Sequence, residues 1–171
     1  MRGKAIGLSA IWICILVTSP LFGLNSEMNR STLQGLKGMR VLVEDLAPEV
    51  EREGLAKDAL QKAIEDKLRA AGIKILTQEE AAQTPGEPYL YLNVNVTLPT
   101  GKEGVCSYSM DLALIQNVTL VRNPNQASYA ITWSTGGVGL IGRKSLGDLR
   151  ESIRELTEIF VKAYQSVNPK N

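Results

Sequence analysis

Apolar and polar residues alternate strictly over residues 89–98, YLYLNVNVTL. A period of two residues is typical of a β-strand with one buried face. Leu90 and the even-numbered residues that follow it form the apolar face. The opposite face carries Tyr89, Tyr91, Asn93 and Asn95. The pattern therefore predicts a half-buried strand whose second face is polar and aromatic.

Four further runs rich in strand-forming residues lie at 39–46, 73–76, 107–122 and 128–134. Short loops separate the last two from each other and from the strand at 89–98, which predicts an antiparallel meander. A turn is expected at 123–125, which reads Asn-Pro-Asn. In the last strand, alternation places Tyr129, Ile131 and Trp133 on one face.

Helical periodicity follows two other segments, 55–71 and 145–167, where apolar residues recur every three or four positions. Gly72 is a natural residue at the end of the first helix. Ser145 and Asp148 resemble a capping box that would begin the second helix. A further cap at Thr77 predicts a short helix that ends before Pro85.

These elements predict an α+β fold built as a two-layer sandwich. One mostly antiparallel sheet would carry the two main helices on its apolar face, because each element has one apolar side to bury. We expect a single domain at 38–170, preceded by a linker at 27–37. The opposite sheet face would stay open, with Asp111 and Thr132 beside the polar row of the strand at 89–98.

The N-terminus has the order of a secretory signal. Arg2 and Lys4 precede thirteen uncharged, mostly apolar residues, and Thr-Ser-Pro at 18–20 then interrupts the run. Residues 1–26 are therefore expected to form a signal peptide, with cleavage after Gly23 or Ser26. The alternative is an uncleaved anchor, because residues 5–24 contain no charge and are just long enough to span a bilayer. Both interpretations export the domain, which would touch a membrane only through 5–24.

Composition excludes several classes of function. Without Arg2 and Lys4 the chain has 17 cations against 18 carboxylates, so a basic surface for nucleic acid is not expected. The sequence has no histidine, which removes the commonest general base and metal ligand. Cys106 alone remains after the N-terminal segment, so no intrachain disulfide is expected. We expect no catalytic residue, no cofactor and no metal site.

Glycine is concentrated at 135–142, TGGVGLIG, between a predicted strand and a predicted helix. A phosphate-binding loop has this order of elements, but the lysine and hydroxyl pattern of such loops is missing. The segment could instead be a bulged strand end or an apolar loop. If it is a contact surface, Gly137, Arg143 and Lys144 are its candidate residues.

The aromatic residues Tyr89 and Tyr91, with Asn93 and Asn95 beside them, are the other candidate contact surface. Exposed aromatic side chains favour protein binding, although they also form strands well.

The segments YLYLNVNV, DLALIQNVTLVRNP, ITWSTGGVGLIG and SVNPK resemble a group of small exported bacterial proteins of unknown function. Their order of elements is also similar to that of periplasmic accessory domains. The resemblance covers most of 38–170 and implies a role in the cell envelope. We therefore expect a non-catalytic periplasmic or secreted accessory protein that binds an envelope protein. The alternative is a carrier of a small ligand or lipid, and a hydrolase of unrecognised type is disfavoured.

Overall fold

The computed structural model describes residues 23–101 and 104–169. Residues 1–22 lie outside this range, and with them most of the expected signal peptide or anchor. The helices are α1 (Glu27–Ser31), α2 (Pro48–Arg52), α3 (Lys57–Ala70), α4 (Gln78–Ala82) and α5 (Leu149–Val167). The strands are β1 (Arg40–Val43), β2 (Tyr89–Thr97), β3 (Val105–Leu120) and β4 (Asn123–Gly142). Within the described ranges, no helix is both long and apolar enough to cross a membrane.

The four strands form one sheet in the order β1-β2-β3-β4. β1 runs parallel to β2, and the other neighbours are antiparallel. The short loops between β2, β3 and β4 explain the meander, since antiparallel neighbours need only a turn between them. The prediction of an α+β sandwich with a mostly antiparallel sheet is confirmed.

The core lies between the sheet and the two long helices. Leu60, Ile64 and Leu68 of α3 are fully buried, as the helical spacing predicted. From α5, Phe160 meets Trp133 of β4 edge to face, with ring centroids 5.0 Å apart. The even-numbered leucines of β2 complete the layer from the sheet side. Both helices therefore pack on the same face of the sheet, and the other face is left to solvent.

A β-bulge at Thr132 reverses the alternation of β4. Leu114 pairs with Trp133, but the next residue, Ile115, pairs with Ile131, so Thr132 is an extra residue. An extra residue shifts the alternation by one position. Side chains beyond the bulge therefore point to the face opposite to the one that uninterrupted alternation predicts. Trp133 is buried in the core, whereas Tyr129 and Ile131 are exposed. The expectation that these three side chains share one face is wrong for this reason.

The glycine-rich segment 135–142 is a regular continuation of β4 and pairs with β3 along its whole length. The hairpin between β3 and β4 turns earlier than predicted, because Leu120 already pairs with Asn123. The residues expected to form the turn, 123–125, therefore begin β4. Beyond the bulge the two strands continue as an exposed hairpin arm.

Two local predictions at element ends are wrong. Residues 73–76 do not form a strand, and Ile75 makes only an isolated bridge to Met39. The helix that begins at once after Thr77 leaves this segment too short to extend the pairing. The capping box at Thr77 is present and includes Glu80 as expected. The one expected at Ser145 is absent, because a 3₁₀ helix occupies Arg143–Asp148 and α5 begins only at Leu149.

The segment before β1 packs onto the domain. Leu33 is fully buried in the core, and its carbonyl oxygen accepts a hydrogen bond from Asn168 Nδ2 at 2.9 Å. Leu24 lies beside the edge of β4, where its carbonyl oxygen accepts from the backbone N–H of Ser134 at 3.1 Å. The expected linker, 27–37, thus contains α1 and contributes to the core.

Candidate binding surface

The sheet face that points away from α3 and α5, called the outer face below, is built from all four strands, with β1 extending its rows beside β2. Tyr91 of β2, Ala113 of β3 and Ser134 of β4 form one row across it. Parallel rows lie on either side of this one. They are Tyr89–Ile115–Ile131, Asn93–Asp111–Gly136, Asn95–Ser109–Val138 and Thr97–Ser107–Leu140. The four candidate residues of β2 therefore lie together on one continuous surface.

The middle of the outer face is polar. Asn95 Nδ2 donates to the side-chain oxygen of Asn93, and Asn93 Nδ2 donates to Glu44 Oε2 at 3.4 Å. Asp111 is exposed directly across from Asn93. Amide and carboxylate groups that bond mainly to each other at a surface can exchange these bonds for bonds to a partner.

One end of the outer face is aromatic. The rings of Tyr89 and Tyr129 meet edge to face with their centroids 6.1 Å apart. The hydroxyl of Tyr129 donates to Glu87 Oε2 at 2.7 Å. This hydrogen bond to the Glu87 carboxylate raises the pKa of Tyr129, since ionising the phenol would remove the donor. Both rings are thereby held at the base of the hairpin arm.

The other end of the outer face is apolar. Val138 and Leu140 are 79% and 74% exposed. Val105, at the start of β3, is exposed in the same region. These side chains and Ile131 were not among the predicted contact residues, because the surrounding glycines disfavour a strand prediction and the bulge at Thr132 depends on the pairing with β3. The alternation of the preceding strand, continued through 135–142, would have placed Val138 and Leu140 on one face.

Gly137 does not belong to this face. It pairs with Met110, whose side chain is buried in the core, so its own row points toward the helices. Gly137 therefore contributes only its backbone to the outer face. As 135–142 is a strand and is followed by a 3₁₀ helix, the arrangement of a phosphate-binding loop is not formed here.

Arg143 ties the end of β4 to the rest of the domain. Its Nη2 lies 2.6 Å from Glu53 Oε1, and its Nη1 donates to the carbonyl of Gly101. The side chain is only 17% exposed. The guanidinium holds the pKa of Glu53 below its usual range, and the carboxylate raises that of Arg143. Lys144 follows in the 3₁₀ helix and lines a shallow pocket with Gly104 and Gly142. These two cations are therefore separate from the tyrosine and asparagine rows.

Among residues 23–101 and 104–169, no group of three or more histidine, cysteine, aspartate or glutamate side chains could hold a metal ion. All carboxyl groups with a shifted pKa in these ranges have it lowered. A neighbouring cation is the main cause for Asp45 beside Lys57, whereas hydrogen bonds to its own backbone and to Thr77 lower the pKa of Glu79. Cys106 is a fully buried free thiol.

No protein-family model matches the sequence, and no curated protein matches it. Among solved structures, the PelC dodecamer from Paraburkholderia phytofirmans is 18% identical, with a TM-score of 0.39 over 72% of this chain and 88% of that chain. A minor lipoprotein from Acinetobacter baumannii is 13% identical, with a TM-score of 0.34 over 78% and 95%. Both TM-scores indicate a weak structural similarity.

Proposed function

We propose that the protein is a non-catalytic accessory protein of the bacterial cell envelope, which binds another envelope component through its outer face. The order of charged and apolar residues at the N-terminus supports export. The observation that carries the binding role is the row of Tyr89, Tyr91, Asn93 and Asn95 on a sheet face that neither long helix covers.

The chemistry of the outer face fits a protein partner. Tyrosine contributes a large contact area and a hydroxyl, which makes it common among the residues that supply most of the binding free energy at protein interfaces. Here Tyr91 lies between the aromatic end and the polar middle, so a partner could bury the ring and bond to Asn93 in the same contact. The open face of the four-stranded sheet offers a broad surface rather than a cleft.

A carrier of a small ligand or lipid is the alternative. Such a carrier would hold its ligand in an apolar cavity between sheet and helices, whereas Trp133, Phe160 and Leu114 lie in this space and are fully buried. A groove of about 410 Å³ lies elsewhere, between the C-terminal ends of α3 and α5, and is lined by Tyr164 and Asn168 among others. These observations favour the outer face over an interior site.

The proposal is tested by comparing Tyr91→Ala with the wild-type protein in pull-downs from envelope extract. We expect at least one protein whose recovery falls about tenfold or more with Tyr91→Ala, as loss of a central tyrosine would cause. Glu155→Ala is the matched control, since Glu155 is exposed on the helical side. Equal recovery of every protein with wild type and both variants would contradict binding through the outer face.

A further inference from the structure

β4 is the last strand of the sheet, so no described strand pairs with its outer edge. At one end of this edge, Leu24 accepts the N–H of Ser134, and Gly23 lies against Ser134 and Thr135. Asn29 Nδ2 donates to the carbonyl oxygen of Thr132. Because hydrogen-bonding direction alternates along a strand, Val138 and Leu140 point their N–H and C=O groups to the same side as Ser134. The pairing of β4 with β3 is regular from Trp133 to Gly142, so this alternation is not interrupted.

This edge lacks the features that keep strand edges apart. Lysine, proline and inward charges protect exposed edges in soluble proteins. β4 has no charged residue in its whole length, and its one proline lies at position 124, far from this segment. Val138 and Leu140 combine backbone groups that no described strand pairs with and the exposed apolar side chains described above. An edge of this kind is suited to pair with another strand.

We propose that a second copy of this chain pairs with this edge, antiparallel and related by a two-fold axis through Gly139. In that register Val138 lies opposite Leu140 of the second copy, and each such pair exchanges both backbone hydrogen bonds. The two sheets become one continuous sheet, and the apolar ends of the two outer faces merge.

Two properties of β4 favour a copy of itself over a charged peptide. The segment offers no counter-charge to an acidic or basic partner, and its pairing with itself brings no like charges together. Bulk is also complementary, because Ile141 would lie opposite Gly137 and the axis residue Gly139 has no side chain. A two-fold contact gives each copy the same environment and closes after two chains.

The test measures the mass of the purified protein by sedimentation velocity as a function of concentration. A strand-edge interface is smaller than the roughly 1,600 Å² of a standard complex, so we expect a dimer that dissociates at micromolar concentration. Val138→Lys and Leu140→Lys should each raise the dissociation constant by about tenfold or more, since lysine at an edge opposes pairing. Val121→Lys, at the tip of the hairpin arm where Val121 is 99% exposed, should not.

Amide hydrogen exchange completes the test and does not depend on the variants. The amides of Val138 and Leu140 should become protected as concentration rises. A protein that is monomeric at all concentrations would overturn the proposal. So would a dimer that both lysine variants leave intact while keeping the wild-type circular dichroism spectrum. Protection of these amides that does not change with concentration would show that the edge is covered within a single chain, which would equally overturn it.

Discussion

The indole Nε1 of Trp133 donates a hydrogen bond to Asn25 Oδ1 at 3.0 Å. Trp133 is fully buried in β4, and Asn25 lies in the segment that precedes α1. A buried indole N–H needs a partner, because leaving it unpaired costs the free energy of its desolvation. This bond, with the pairing of Leu24 and Ser134 next to it, makes the residues just before α1 part of the folded domain.

Asn25→Ala should lower the free energy of unfolding by about 1–3 kcal/mol, since it removes the acceptor for a buried donor. Urea denaturation followed by tryptophan fluorescence measures the change. Asn125→Ala is the matched control, because Asn125 is exposed on the hairpin arm, and it should change stability by less than about 0.5 kcal/mol. Equal stability of the two variants would show that the Trp133 bond is dispensable.

If a signal peptide is removed, the cut should fall before Leu24. Removal of Leu24 and Asn25 would take away the acceptors of the backbone N–H of Ser134 and of the indole N–H of Trp133. Of the two sites considered from the sequence, cleavage after Gly23 is consistent with this packing and cleavage after Ser26 is not. The intact mass of the exported protein decides between them, and a product that begins at Glu27 would contradict the prediction.

Gly136 is required by the close pairing of β3 and β4. A Cβ atom at this position would overlap the carbonyl oxygen of Met110 and lie 2.8 Å from Asp111 Oδ1. Gly136→Ala should therefore destabilise the protein by about 1–3 kcal/mol, the usual cost of overpacking. Gly142→Ala is the control, because a Cβ there meets nothing within 4 Å. Comparable unfolding midpoints in urea for both variants would count against this register.

Much of the fold could be predicted because its strongest patterns are local. The alternation of β2 and the apolar stripes of α3 and α5 each reflect one buried face. The buried face of such an element can be predicted from its own sequence, without its neighbours. The bulge at Thr132 could not be predicted in this way, because an extra residue is defined only by the strand across from it. For this reason Ile131 and Trp133 were predicted to share a face, whereas they lie on opposite faces of the sheet.

The candidate surface was predictable to the same extent. The four residues of β2 were placed on one face by the alternation alone. Its apolar end was not predicted, because Val138 and Leu140 lie among glycines and glycine is uncommon in strands. Arg143 was a candidate for contact, but its partner Glu53 is distant in sequence and only the fold brings the two together.

The titration of Tyr129 reports on the aromatic end of the outer face. Its pKa is raised by the hydrogen bond to Glu87, so the neutral phenol is favoured in the folded protein. The resulting stabilisation is complete below the unfolded pKa of about 10 and is lost as pH rises through the higher folded value. Glu87→Gln should lower the pKa of Tyr129, measured from ¹³C-labelled tyrosine rings by NMR, and Glu155→Gln should not. An unchanged Tyr129 titration in Glu87→Gln would contradict the contact.

Photo-crosslinking in living cells tests the central claim most directly, because it records what lies against the outer face in the envelope. A photoreactive phenylalanine analogue is placed at Tyr91 and, in a second strain, at Glu155. We expect a discrete adduct with an envelope component from position 91 that is absent from position 155. Crosslinks from position 155 alone, or the same adducts from both positions, would contradict binding through the outer face.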